Sequence, residues 1–233
     1  MDRSEFPNRL LATLPNRVRR RLISQSIEIE LTAGETLCTP GARLLHADFP
    51  LAGIVSTQIP FGPYSSFQVE LAGREGMIGL PLVFGVSIAT LHRHVQLSGA
   101  SIRLTAAALK QELASSRTLR ETLGRYAYVL RAQLAETVGC NSFHLLEARL
   151  ARWLLETLDR IDSNEFHLTH ELLGRMLGVR RESITSAASF LRKRKLVRYS
   201  RGEITILDRE GLEAVSCQCY RSAKGTYERL FSS

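Results

Sequence analysis

Between residues 22 and 104 the apolar residues come in short or alternating runs: Ile27-Glu28-Ile29-Glu30-Leu31, Gly53-Ile54-Val55, Phe67-Gln68-Val69-Glu70-Leu71 and Ser101-Ile102-Arg103-Leu104. Alternation of this kind sends every second side chain to one face of a strand. Turn signals separate the runs at Ala33-Gly34-Glu35, Pro40-Gly41, Pro60-Phe61-Gly62-Pro63, Ala72-Gly73-Arg74 and Ser98-Gly99. Many short strands at this spacing predict a β-sandwich, barrel or jelly roll. From Thr105 onward the period changes. Leu119, Leu123, Tyr126, Leu130, Leu134 and Val138 recur every three or four residues and draw one apolar stripe along a long helix. Such a stripe needs a cover, either the β-rich segment or a second copy of the helix across a two-fold axis. Gly139-Cys140-Asn141-Ser142 reads as a break, and a second amphipathic helix follows with Phe143, Leu146, Leu150, Trp153, Leu154 and Leu158. The expected architecture is α+β, divided into a β-rich part with an N-terminal helical arm at 1–114, a long helix at 115–140 and a helical part at 141–233.

A more specific pattern begins at Thr169, which is placed to cap a helix, with Glu171 in the first turn complementing the helix dipole. Gly174 falls where the two helices of a helix-turn-helix cross closely. Gly178 falls where the first helix ends in a left-handed residue that glycine adopts without a Cβ clash. Leu173, Leu177, Val179, Ile184, Ala187 and Leu191 supply the small core that both helices share. After Leu196 the stretch Val197 to Leu207 reads as two short strands about Ser200-Arg201-Gly202, a β-hairpin wing.

Charge then adds chemistry to this pattern. The 233 residues carry 31 Lys and Arg against 23 Asp and Glu, a net +8 that favours polyanionic partners. Between 180 and 201 stand Arg180, Arg181, Arg192, Lys193, Arg194, Lys195, Arg198 and Arg201, with Glu182 the sole acid. A charge run by itself is usually a solvated face; on the second helix of a winged helix-turn-helix it points to double-stranded DNA. Arg180, Arg181, Glu182, Thr185, Ser186 and Ser189 lie at the N-terminal end or on the outward face of that helix and are the candidate base readers. Arginine donates two parallel hydrogen bonds to guanine, and glutamate accepts from a cytosine amino group, so Arg181 and Glu182 fit a G·C-containing step. Thr169, Ser183, Arg192, Lys193, Lys195 and Arg201 are the candidate phosphate contacts, which position the protein and make its affinity salt-sensitive. A winged helix used for protein contacts, in a ligand-binding or scaffolding protein, is the alternative.

Other function classes find little support. There is no G-x-S-x-G elbow, H-E-x-x-H, G-x-x-x-x-G-K loop or dinucleotide fingerprint, so no enzyme is expected. No apolar run reaches the ~20 residues of a membrane span, and Met1 to Leu14 lacks the apolar core of a signal peptide, which predicts a cytoplasmic location. Cys38, Cys140, Cys217 and Cys219 match neither a disulfide framework nor paired C-x-x-C zinc ligands, so reduced thiols are expected and no metal. Cys217-Gln218-Cys219 is a weak redox candidate, since its two thiols would close a strained ring.

The order of β-rich domain, long helix, second helix and winged helix-turn-helix resembles the cyclic-AMP receptor protein and fumarate-nitrate regulator (Crp/Fnr) superfamily of bacterial transcription regulators. The likeness is strongest from Leu168 to Thr185 and from Tyr199 to Asp208. It implies a cyclic-nucleotide-binding-like jelly roll at 1–114, a dimerisation helix at 115–140 and a DNA-binding domain at 141–233. It further implies a homodimer joined through Leu119, Leu123, Tyr126, Leu130 and Leu134, an inverted-repeat site, and contact with RNA polymerase. The family's Arg-Glu reading pair falls on Arg181 and Glu182 and its phosphate-binding hydroxyl on Ser183, whereas its second arginine is Ser186 here. In the nucleotide cassette, marked by Gly73, Gly76 and Gly79, the ribose-binding Glu is replaced by Leu80 or Pro81. No Arg-Ser or Arg-Thr pair follows before His94. Each lost charged hydrogen bond is worth ~1.5–3 kcal/mol, which argues against cyclic AMP. No cysteine precedes Cys38, which argues against the family's N-terminal iron-sulfur cluster. His92 and His94 share a strand face and could ligate haem or a metal, although such histidines are more often satisfied by neighbours. The effector is left open.

Overall fold

The computed structural model describes residues 6–60 and 66–231. The expected turn at Pro60-Phe61-Gly62-Pro63 lies, after Pro60, outside the described residues. The elements follow in the order α1 (Arg9–Ala12), α2 (Asn16–Ser24), β1 (Ser26–Leu31), β2 (Thr36–Cys38), β3 (His46–Pro50), β4 (Ile54–Pro60) and β5 (Ser66–Ala72). A 3-10 turn at Leu80–Phe84, β6 (His92–Leu97), β7 (Gly99–Thr105), α3 (Ala106–Ser115) and α4 (Arg117–Phe143) come next. The chain continues with α5 (Leu146–Leu158), β8 (Glu165–His167), α6 (His170–Leu177), α7 (Arg181–Lys193), β9 (Val197–Ser200), β10 (Glu203–Ile206), α8 (Arg209–Val215) and α9 (Cys219–Phe231).

These elements form two compact units. One takes in residues up to 57, 70–131 and from 227; the other takes in 58–69 and 132–226. The chain thus divides inside α4, not after residue 140, and the ends of β4 and β5 belong with the second unit.

In the first unit β1-β7-β3 form one sheet, and β2-β6-β4-β5 are the strands of the other. β7 is the centre of the first, antiparallel to both neighbours, with Ser26 opposite Leu104 and His46 opposite Thr105. Leu31, Val55, Ala72 and Val95 come from both sheets and join Ile78 in one buried cluster. The alternation in β1 holds only at its end: Leu31 is buried, whereas Ile27 is exposed. Asn8 fastens α1 to the strands. Its side chain accepts the Leu11 N–H and donates to the carbonyls of Pro50 and Gly76 at 2.9 and 3.0 Å, so this fully buried amide has partners at both ends.

The helical stripe corrects the expected dimer contact. Leu119, Leu123 and Tyr126 are buried in a core of their own chain with Leu10, Leu14, Leu22, Phe49, Met77 and Leu109, and Leu130 packs against that core. The period showed that this face is covered. Its cover in the first unit is the sequence-distant N-terminal arm and β3, so Leu119, Leu123 and Tyr126 have no surface to offer a second copy, whereas Leu130 is half-buried. Leu134 and Val138, at 42% and 61% exposure, remain open, as does Tyr128. The expected break at 139–142 is also absent: α4 runs on to Phe143, and the chain turns at Leu145, whose backbone is extended. Cys140 is buried there, and the Ser142 hydroxyl donates back to the Val138 carbonyl, so tertiary packing outweighs the roughly 1 kcal/mol that a helical glycine such as Gly139 costs. Among the described residues no helix is long and apolar enough to cross a membrane.

Candidate nucleic-acid interface

Local chemistry builds the helix-turn-helix as the sequence predicts. Thr169 caps α6: its Oγ1 accepts the Leu172 N–H at 3.2 Å, and Glu171 sits in the first turn. Gly178 ends α6 with φ +66°, and its N–H returns to the Arg175 carbonyl. At Gly174 a Cβ would lie 2.8 Å from the Val179 carbonyl oxygen, so only glycine lets the turn close over α6. Leu173, Leu177, Ile184, Ala187 and Leu191 are buried between the helices, while Val179 is half-buried. Arg149 of α5 donates to the Leu177 carbonyl and thereby satisfies the end of α6.

The structure brings the predicted readers together on one open surface. Arg180 is the N-cap of α7, and it makes no side-chain capping bond. Arg180, Arg181, Glu182, Ser183, Thr185 and Ser186 are exposed, and Ser189 is half-buried. The first turn of α7 therefore shows the N–H groups of Arg181 and Glu182 beside two guanidinium groups, an arrangement that attracts phosphate, while the Ser183 N–H bonds the Arg180 carbonyl. Two hydroxyls are held by their own helix: Thr185 donates to the Arg181 carbonyl and Ser186 to the Glu182 carbonyl, at 3.1 and 3.2 Å. Arg192, Lys193 and Lys195 are exposed at the opposite end of α7, where Arg194 stacks 4.4 Å over Phe190. Arg201 is at the tip of the wing, and with φ +50° there and +90° at Gly202 it makes the mirror-image turn that suits a hairpin. The wing has a third strand that the sequence pattern does not reveal, β8, which pairs antiparallel with β10.

His170 is a further residue that sequence reasoning did not single out. Its Nδ1 lies 3.0 Å from the Thr185 Oγ1, and its ring stacks on Tyr199 at 4.2 Å, whose hydroxyl donates to the Leu168 carbonyl. Burial, and then the positive charge of Arg181, hold the His170 pKa below its ordinary value. A neutral imidazole thus ties the start of α6 to the face of α7.

In the first unit the cassette glycines serve internal packing. Tyr126 lies against Gly76, the His46 carbonyl against Gly79 (φ +89°), and the Gly73 N–H donates to Glu75. His92 and His94 do share a face and stack at 5.8 Å, but His94 Nδ1 already meets Thr36 Oγ1 at 3.0 Å, and burial, with His92 second, lowers its pKa. The second unit holds a cluster that the spacing rules passed over: Cys140, His144, Cys217 and Cys219 converge. A hydrogen bond from Cys217, aided by His144 and Arg152, draws the Cys140 thiol well below its ordinary value, while sharing that bond pushes Cys217 up. A sequence signal existed in Cys140-x-x-x-His144, which places two ligands one helical turn apart.

Comparison with known proteins agrees with this geometry. Residues 148–215 match the family model described as the Crp-like helix-turn-helix domain. None of the curated proteins compared matches the sequence. The solved structure of FixK2 from Bradyrhizobium japonicum is similar at a TM-score of 0.71 and 13% identity, covering 82% of this chain and 98% of that one. TTHA1359, a CRP/FNR-family transcriptional regulator from Thermus thermophilus, matches at 0.65 and 18% identity over 82% and 98%. CLP of Xanthomonas campestris, a c-di-GMP responsive global regulator, matches at 0.64 and 12% identity over 82% and 99%. The cap at Thr169, the glycines of the turn, the basic helix and the wing are thus those of a Crp-like helix-turn-helix domain, set in a chain with the fold of the Crp/Fnr transcription regulators.

Proposed function

We propose that this chain is a sequence-specific DNA-binding transcription regulator, acting as a homodimer on an inverted repeat and not controlled by cyclic AMP. The observation that carries the reading is the open N-terminal turn of α7, where Arg180, Arg181, Glu182 and Ser183 stand exposed and without an ion-pair partner among the described residues. In the major groove Arg181 and Glu182 face base edges, while Thr169, Ser183 and Arg201 face phosphates on either side. The Arg192–Lys195 end adds affinity without specificity.

The dimer would form through the open face of α4. Gly124, Tyr128, Ala135 and Val138 are exposed at spacings of four, seven and three residues, with Arg131 at the seam position between Tyr128 and Ala135, and nothing lies within 4 Å of a Cβ at Gly124, so backbones can approach. Two copies so joined read half-sites whose centres lie one turn, ~34 Å, apart. Against cyclic AMP stands the cassette: Leu80 and Pro81 offer no acceptor, no cation lies between 80 and 91, and Gly76 is filled by Tyr126. The reading includes RNA polymerase as a partner and the cytoplasm as the place of action, and assigns no catalysis.

Selection of bound sequences from random duplexes tests the proposal, followed by titration of the selected site at several salt concentrations. Enrichment of one inverted repeat, with affinity falling steeply as salt rises, is the expected result. Equal binding to all duplexes, or none, would leave a winged helix used for protein contacts. Repeating the titration with cyclic AMP and with c-di-GMP tests the effector, and cyclic AMP should leave the affinity unchanged.

A further inference from the structure

We propose that Cys140, His144, Cys217 and Cys219 form a structural zinc site that fastens the end of α4 to the start of α9. The four ligand atoms come from two places far apart in the chain. Cys140 lies in the last turn of α4 and His144 directly follows that helix, its N–H bonded back to the Cys140 carbonyl, while Cys217 and Cys219 flank Gln218 where the chain enters α9. The Sγ atoms of Cys140 and Cys217 are 3.4 Å apart, Cys219 Sγ is 3.6 Å from His144 Nδ1, and all four atoms lie within 4.8 Å of one another. With bonds of ~2.3 Å to sulfur and ~2.1 Å to nitrogen, a tetrahedral zinc ion sets its ligands about 3.8 Å (S to S) and about 3.5 Å (S to N) apart. Two of the observed separations are close to a tetrahedron's edges, and the 4.8 Å bound on the rest is within reach of small side-chain shifts. The separations leave room for one ion and not for a cluster whose ligands hold different irons.

The donor set selects the metal. Three thiolates and an imidazole in a four-fold site suit zinc, whereas magnesium and calcium call for oxygen. A disulfide between Cys140 and Cys217 would use only two of the four groups and give no reason for Cys219 and His144 to converge on them. Burial fits a closed site as well. The cysteines are 2%, 8% and 5% exposed, and all four positions are filled by protein, which leaves none for water or substrate. Zinc with three thiolates and a neutral imidazole carries one net negative charge, and a cation that is also paired with Glu156 lies beside it. Arg152 of α5 is buried, bonds Glu156 and the Thr137 hydroxyl, and reaches the Cys140 sulfur. Such a site would join residues 77 positions apart within the second unit and hold α9 in place against α4 without a large apolar core.

The test uses the untagged full-length chain, purified with a thiol reductant and no added metal. Elemental analysis after gel filtration should find one zinc per chain. Titration with a mercurial should release that zinc as the three cluster thiols are consumed, with Cys38 reacting separately. Exchange for cobalt(II) should give the intense visible bands of a tetrahedral ion together with a near-ultraviolet thiolate charge-transfer band. Cys217→Ser and Cys219→Ser should lose stoichiometric metal, and Cys38→Ser, outside the cluster, should keep it. A ligand variant can simply unfold, so the decision rests on the unmodified chain. Trace zinc only, cobalt without the thiolate band, or a Cys140–Cys217 disulfide found by mass spectrometry in the reductant-purified protein would each overturn the proposal. The site stands apart from DNA recognition, and a chain that bound zinc but not DNA would leave it intact.

Discussion

Replacing Gly76 with alanine should destabilise the β-rich unit by about 1–3 kcal/mol, the usual cost of forcing a methyl group into a filled core. The methyl carbon would stand 2.0 Å from the Tyr126 hydroxyl oxygen and 2.6 Å from Cζ, where ordinary contact is 3.4–4 Å, so the ring must withdraw by roughly 1 Å or more through an interior as dense as an organic crystal. Tyr126 is 1% exposed, among Leu123, Met77 and Phe49, and has nowhere to swing. Truncating it alone, Tyr126→Ala, should cost about 3–5 kcal/mol, as large aromatic-to-alanine changes do. In the double variant the new methyl occupies space the ring has left, so the combined loss should fall short of the sum by about 1–3 kcal/mol. Urea unfolding followed by far-ultraviolet circular dichroism measures all three changes, and sedimentation measures the oligomeric state. Additive losses would refute the argument. So would a harmless Gly76→Ala paired with a Tyr126→Ala that dissociates a dimer without unfolding it, since the ring would then face a second copy.

Three further outcomes are expected. Lys193→Ala should weaken binding to every duplex alike and lower the slope of log affinity against log salt by about one, read by fluorescence anisotropy at several salt concentrations. Gly178→Ala should cost about 1–2 kcal/mol for the left-handed backbone, before Phe67, whose ring lies 3.0 Å from the new carbon, has to yield. Gly178→Asn should cost less, and the fluorescence of the single tryptophan, Trp153, reports both. His170 binds its proton less readily folded than unfolded, so the stability it contributes is complete above the unfolded value of 6.5 and is lost as pH falls through the lower folded value. Unfolding curves across that window should show a decline that His170→Gln removes, and Arg181→Ala should move the His170 titration upward in an NMR pH series.

The helix-turn-helix was legible because its demands are local. A carbonyl 2.8 Å from the Cβ position at 174 and a left-handed backbone at 178 both require glycine, and the sequence places one at each. The wing turn was legible for the same reason at Gly202. Where the answer depends on a distant partner, the pattern was silent or misleading. The period of Leu119, Leu123 and Tyr126 marks a covered face without naming what covers it, and α1 and β3 turned out to do so. β8 is three residues with one buried side chain, too short for alternation to register. The cysteine and histidine cluster sets Cys140 and Cys217 apart by 77 positions, so no spacing rule for a single contiguous motif reaches it.

The hydroxyls of α7 bear on how the DNA site should look. Thr185 and Ser186 each donate to a carbonyl one turn back, and Thr185 also meets His170. To read a base edge such a hydroxyl must give up a bond it already has, so little net discrimination is left from those positions. Arg181 and Glu182 give up only water, and a bidentate arginine–guanine contact is worth about 1–3 kcal/mol against the wrong base. Sequence information should therefore be concentrated in the few base pairs of each half-site that the start of α7 faces, with flanking preferences set by DNA shape. Arg181→Ala should then cost about 1–3 kcal/mol on the selected site and flatten one position of the preference, whereas Ser186→Ala should change neither affinity nor preference by more than a few tenths of a kcal/mol. Site selection repeated with both variants decides it, because a Ser186→Ala chain that selects a different repeat would show that the hydroxyl leaves its helix to read a base.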